Sequence, residues 1–99
     1  MNVQIQTVNF DVDSKLLDHV NKKIEKLNTF YDKITSVEVF LRLDNMGQKV
    51  KEKIAEIKVN IPSVSLFAKH ESKVFEESFD EALDSMVAQI KKHKEKARG

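Results

Sequence analysis

The 99-residue chain contains no cysteine and no tryptophan, one proline and two glycines. Without cysteine there can be no disulfide, thiolate metal site or cysteine nucleophile, so the fold must hold by packing alone. Glycine occurs only at 47 and 99 and proline only at 62, which excludes glycine-rich phosphate loops and dinucleotide fingerprints. No stretch approaches the roughly 18 apolar residues needed to span a bilayer. Residues 1–10 carry neither a basic region nor an apolar run of signal-peptide type, so the cytoplasm is the expected compartment and no membrane partner is expected. A charge excess is missing as well: 17 Lys and Arg face 16 Asp and Glu, a formal net charge of +1. Composition alone therefore does not indicate a globally basic nucleic-acid binder.

What is present fits one globular domain over residues 1–99. Apolar residues make up 40% and charged ones 33%, which separates the chain from disordered tails. A domain of this size buries about two-thirds of its unfolded surface. The neutral total conceals an ordering of charge. Residues 62–90 sum to −4, whereas from about residue 91 a basic tail carries Lys91, Lys92, Lys94, Lys96 and Arg98 against Glu95 alone. Position rather than total carries the information.

Hydropathy patterning predicts the element order βαβββα. Val3, Ile5 and Thr7 alternate with Gln4 and Gln6, the period of a half-buried strand. Asp13 can cap a helix over residues 14 to about 28, with Val12 packing on Leu17 as a staple and Leu16, Leu17, Val20, Ile24, Leu27 and Tyr31 at helical spacing. Val37, Val39, Leu41 and Leu43 form a second strand that ends at a turn over Asp44, Asn45, Met46 and Gly47. Ala55, Ile57, Val59 and Ile61 form a third, and Pro62-Ser63 breaks the run before Val64, Leu66 and Ala68 resume it. Ser72 can cap a last helix with the stripe Phe75, Phe79, Ala82, Leu83, Met86 and Ile90. Its acidic start and basic end both suit the helix dipole.

Together these elements predict an α+β, two-layer sandwich: a four-stranded mixed sheet with both helices on one face. The first two strands are parallel through a right-handed crossover and the last three form an antiparallel meander. The other face is solvated and presents Glu38, Phe40, Arg42, Glu56, Lys58, Ser65, Phe67 and Lys69.

Two basic groups stand out. At about 100° per residue, Lys15, His19, Lys22 and Lys26 fall within about 60° of one another on the first helix, with Lys23 at their edge. Such a row, directed to solvent, can meet successive phosphates of an RNA backbone, or it can be an ordinary solvated helix face. Lys91, Lys92 and Lys94 near the end of the second helix can either extend that row or simply complement the helix dipole. His70 and His93 follow the apolar phases of their elements and read as packing or boundary residues. With His19 they are the only histidines, and none has a partner at metal-ligand spacing. No metal, cofactor or small-molecule substrate is expected. No serine–histidine–carboxylate site is visible in local sequence, so no enzyme is indicated. Phe40 and Phe67, out of phase with the core, can stack on unpaired bases, make a cross-strand aromatic contact, or form a protein-docking patch on the open sheet face, the last being the alternative function.

The pattern resembles the ribosome-associated inhibitor A and short hibernation promoting factor family across essentially the whole chain. The resemblance rests on Lys23-Ile24-Glu25-Lys26-Leu27, Phe30-Tyr31-Asp32-Lys33-Ile34, Asp80, Asp84, Gln89 and Lys92-His93-Lys94, in that order and spacing. It implies a fold similar to the double-stranded RNA-binding domain and binding to the small ribosomal subunit and its rRNA, in the channel used by messenger and transfer RNA, which inhibits translation under stress or in stationary phase. It also implies that Lys22, Lys23, Lys26, Lys91, Lys92 and Lys94 touch rRNA phosphates, with Lys15 and His19 completing the stripe. The chain ends soon after the second helix, so a short form is expected, for which any role in ribosome dimers would need another factor or another surface.

Overall fold

The computed structural model describes residues 1–44 and 52–98, with side chains through Lys96. The elements are β1 (Asn2–Val8), α1 (Ser14–Phe30), β2 (Ser36–Asp44), β3 (Glu52–Ile61), β4 (Val64–Ser72) and α2 (Phe75–Arg98). The sheet runs in the order β1-β2-β3-β4. β1 pairs parallel with β2, Val3 opposite Val37 and Ile5 opposite Val39. β2–β3 and β3–β4 are antiparallel. The predicted α+β order, mixed sheet and two-layer arrangement are those observed. The turn predicted over Asp44, Asn45, Met46 and Gly47 lies, beyond Asp44, outside the described residues.

Alternation decides the layers. On one face Val37, Val39 and Leu41 of β2, Ala55, Ile57, Val59 and Ile61 of β3, and Ala68 of β4 are buried. They meet Leu16, Val20, Ile24 and Leu27 of α1 and Phe75, Phe79, Ala82, Leu83, Met86 and Ile90 of α2 in one core. α2 lies over β3 and β4 and against α1. On the other face the register sets Glu38 opposite Lys58 and Glu56 opposite Lys69, cross-strand pairs of opposite charge that favour the sheet. Arg42 Nη2 reaches Glu56 Oε1 at 3.5 Å. Ile54, in register with Arg42 and Glu71, is buried in the phase of this face and stands apart from the main core.

The helix ends follow from local chemistry. Asp13 Oδ1 accepts from the Leu16 amide at 2.7 Å, the expected N-cap. α1 continues two residues beyond the predicted end, and the Tyr31 amide donates to Leu27 O at 3.0 Å. Ser72 departs from expectation. Its hydroxyl accepts from the Val74 amide at 3.1 Å, a local turn of serine type. The first helical bond instead runs from the Ser78 amide to Val74 O at 3.0 Å. The chain thus enters α2 three residues after Ser72, at Phe75, because the serine bonds the intervening backbone before the helix begins.

The β3–β4 connection is two residues long, Pro62 and Ser63 between paired Ile61 and Val64. Ser63 has φ 73°, the left-handed region that a type II turn requires after proline. A residue with a Cβ is strained there by about 1–2 kcal/mol, whereas glycine is not.

Ser63→Gly should therefore raise stability by up to about 1 kcal/mol, read as a higher urea midpoint at unchanged slope. Phe79→Ala, at a fully buried position, should lower stability by about 3–5 kcal/mol in the same measurement.

Candidate nucleic-acid interface

Chain direction builds the site. Each of the three connections after β1, and the two that follow, reverses the chain across the layer, so α1 and α2 descend side by side in the same direction. Contacts at both ends show this: His19 of α1 meets Asp80 of α2, with Nε2 donating to Oδ1 at 2.7 Å, and Phe30 meets Lys94. The carboxyl ends of both helices therefore meet at one end of the helical layer.

That junction is held by an interaction no local pattern reveals. α1 has no basic residue in its last turn, so its terminal carbonyls have no cation of their own. Lys94 of α2 supplies one, Nζ donating to Phe30 O at 3.4 Å and lying 4.7 Å from the Phe30 ring centroid and 5.6 Å from that of Tyr31. His93 packs edge-on to Tyr31 at 6.3 Å. A carbonyl bond, a dipole and two aromatic faces converge on one ammonium group. The available signal was the Phe30-Tyr31 pair ending one helix and His93-Lys94 near the end of the other. It becomes legible only once the helices are known to be parallel.

The stripe predicted on α1 is only partly directed to solvent. Lys15, Lys22 and Lys26 are exposed, but Lys23 and His19 are half-buried. His19 is a correction: besides its bond to Asp80, its ring stands edge-on to Phe79 at 6.0 Å, so it faces α2. It lies at the margin of the stripe nearest the apolar face, where the neighbouring helix packs. Lys15, one turn before His19, is level with the acidic start of α2, where Glu76 and Glu77 lie, about 16 Å along the axis from Lys26. The structure thus groups Lys23 and Lys26 with Lys91 and Lys94, and Lys22, one turn before Lys26 on α1, is exposed to solvent. A cleft lined by Phe30, Lys91, Lys94 and Glu95 adjoins one lined by Lys23, Lys26, Leu27, Phe30, Leu83 and Val87. Lys92 is on the other flank of α2, sharing a cleft with Val64, Leu66, Gln89 and Lys96 beside β4.

Folding needs do not account for this grouping. Helix-dipole stabilisation fades within the last turn, and Lys22 and Lys23 stand about two turns before the end of α1, as do Lys91 and Lys92 in α2. Among the described residues, Lys22, Lys23, Lys26, Lys91 and Lys92 form no ion pair with a carboxylate. Like charges gathered without counter-charges repel, by about 0.5 kcal/mol per pair at 8 Å in water before salt screening. An arrangement that costs the free protein energy is suited to a polyanion.

Phe67 is 54% exposed on the open face, whereas Phe40 is half-buried. Phe67 lies opposite Lys58, Phe40 opposite Gln6 and Glu56, so the two rings do not form a cross-strand pair. Gln89 Nε2 donates to Phe67 O at 2.7 Å, tying α2 to the outer strand. His70 does assemble a serine–histidine–carboxylate chain, with Nε2 2.9 Å from Ser85 Oγ and Nδ1 3.4 Å from Glu81 Oε2. That chain is open to solvent, His70 and Glu81 being 40% and 46% exposed. It serves as a clamp between β4 and α2.

These features define a class: a two-layer α+β domain whose concentrated charge is a cationic patch at the shared end of two parallel helices. The chain belongs to the Sigma 54 modulation protein / S30EA ribosomal protein family, whose model matches residues 3–98. It is 32% identical over 96 residues to a ribosome hibernation promoting factor of Pseudomonas putida, covering 97% of this chain and 89% of that one. A ribosome hibernation promoting factor of Azotobacter vinelandii is 34% identical over 96 residues, with 97% and 85% covered. The ribosome hibernation promotion factor of Bacillus subtilis is 31% identical over 98 residues, which cover 97% of this chain and 50% of that relative. The fold matches a ribosomal subunit interface protein from Coxiella burnetii, with TM-score 0.83, 21% identity and 95% and 98% coverage. It also matches the N-terminal domain of Thermus thermophilus Protein Y, with TM-score 0.78, 24% identity and 94% and 99% coverage.

Lys94→Met keeps the apolar stem but removes the cation. It should lower stability by about 1 kcal/mol and accelerate amide exchange at Tyr31, whereas Lys94→Arg should preserve both.

Proposed function

We infer that this chain is a cytoplasmic ribosome hibernation factor. It binds the small ribosomal subunit in the channel used by messenger and transfer RNA and inhibits translation under stress or in stationary phase. The observation that carries the reading is the convergence of Lys23 and Lys26 from α1 with Lys91 and Lys94 from α2 along adjoining clefts, with Lys22 exposed one turn before Lys26; among the described residues none of the five pairs with a carboxylate. Membership of a ribosomal protein family and the names of its relatives supply the partner class. Lys92 adds a contact on the β4 flank, and Lys15 is an outlying cation further along α1.

The mechanism is occupancy. A rigid domain held to rRNA phosphates by ammonium groups excludes other polyanions from the same channel. It needs no cofactor, small-molecule substrate or catalytic step. Phosphate contacts release counterions on binding, so association is steeply dependent on salt and readily reversed.

Charge reversal of Lys22, Lys26 and Lys91 should abolish co-sedimentation with ribosomes while leaving the circular dichroism and melting profile intact. For the unmodified protein, about six phosphate contacts set the slope of log affinity against log salt near −4 to −5. Replacing Phe40 and Phe67 together should leave ribosome binding unchanged. The opposite pattern, insensitivity to the lysines and loss with the aromatics, would assign function to the open sheet face instead.

A further inference from the structure

Between the carboxyl halves of α1 and α2 lies an open slot whose floor and walls are Leu27, Phe30, Leu83 and Val87, rimmed by Lys23 and Lys26. Its volume is about 210 Å³, below the roughly 300 Å³ at which drug-sized ligand pockets begin. It takes one ring system. Phe30, 38% exposed, divides this slot from the cleft of Lys91 and Lys94. Lys94 lies over the Phe30 ring, which fixes the aromatic plane. Lys23 is half-buried beside it, which lets its methylene stem form wall while its ammonium reaches water.

Resting on the ribosome-binding reading, we propose that this slot receives one unpaired nucleotide, its base stacked on Phe30 and its flanking phosphates held by the lysines on either side. An apolar slot has no use for the outside of an RNA duplex, where bases are stacked inward and recognition goes through phosphates and 2′-hydroxyls. A splayed base offers a planar face of the right size, and base–aromatic stacking tolerates any sequence. Charge complementarity selects the same occupant, since the rim carries Lys23 and Lys26 and the adjoining cleft Lys91 and Lys94, against the single carboxylate of Glu95. An acidic amphipathic peptide helix shares the charge but must bury several apolar anchors in its groove, and a volume of about 210 Å³ holds only one ring system. The domain therefore selects single-stranded or bulged RNA over duplex, with phosphates giving affinity and the slot giving selectivity.

The test is fluorescence anisotropy of the full chain with three labelled oligoribonucleotides of equal length: single-stranded, the same strand with one central abasic site, and duplex. A Val87→Phe variant, which fills the slot but leaves Phe30 and every lysine in place, is measured alongside, with its melting profile as the fold control. The unmodified protein should prefer the intact single strand to the duplex by at least about fivefold. Val87→Phe should remove that preference without altering the salt slope. Because position along a uniform strand can shift, the abasic penalty is also read with the strand shortened until one nucleotide can enter the slot. Equal binding of all three RNAs, or an unchanged preference in Val87→Phe, would overturn the slot while leaving ribosome co-sedimentation as the measure of the broader reading. Slot-dependent binding of an acidic amphipathic peptide with no such RNA preference would overturn it too, in favour of a protein dock.

Discussion

Everything at the candidate interface depends on the direction of two helices. A parallel β1–β2 pair forces a crossover through α1, and the two hairpins that follow restore the chain to the same side before α2 begins. Both helices must then run the same way, and both carboxyl ends must reach one end of the layer. Two dipole ends of the same sign meet there, and Lys94 answers both: it belongs to one helix and bonds the terminal carbonyl of the other. The topology creates the need for a cation at this place, and the additional lysines enlarge the resulting positive field far beyond that need.

The same direction polarises the molecule. Glu76 and Glu77 occupy the first turn of α2, and Asp80 is engaged by His19, so negative charge collects at the amino end of the helical layer and positive charge at the carboxyl end. A net charge of +1 is thus compatible with a strongly cationic patch. On the open sheet face Glu38 sits opposite Lys58 and Glu56 opposite Lys69, so part of its charge cancels locally, while Asp44 lies opposite Glu52.

Much of the fold was legible in the sequence because its signals are local and strong. Period-two alternation in β2, β3 and β4, the Asp13 cap and the apolar stripes of both helices each follow from neighbouring residues. Errors appeared where a distant element decided the outcome. His19 sits at the edge of its stripe, and only the packing of α2 determines that it turns toward Asp80. Lys91 and Lys92 are adjacent in sequence but about 100° apart around the helix, so one faces α1 and the other β4. The end of α1 and the role of Lys94 depend on a contact spanning 64 residues, which no window of a single helix can contain. Ser72 was misread for a different reason: a serine hydroxyl serves a local turn as readily as a helix cap.

The central claim, that the joined carboxyl ends of α1 and α2 are the ribosome-facing surface, is tested most directly by lysine acetylation footprinting. The free and the ribosome-bound protein are modified briefly and compared by mass spectrometry. The account predicts that Lys22, Lys26 and Lys91 lose reactivity on binding while Lys58 and Lys69 on the open sheet face keep theirs. Protection of Lys58 and Lys69 with Lys22, Lys26 and Lys91 still reactive would contradict it.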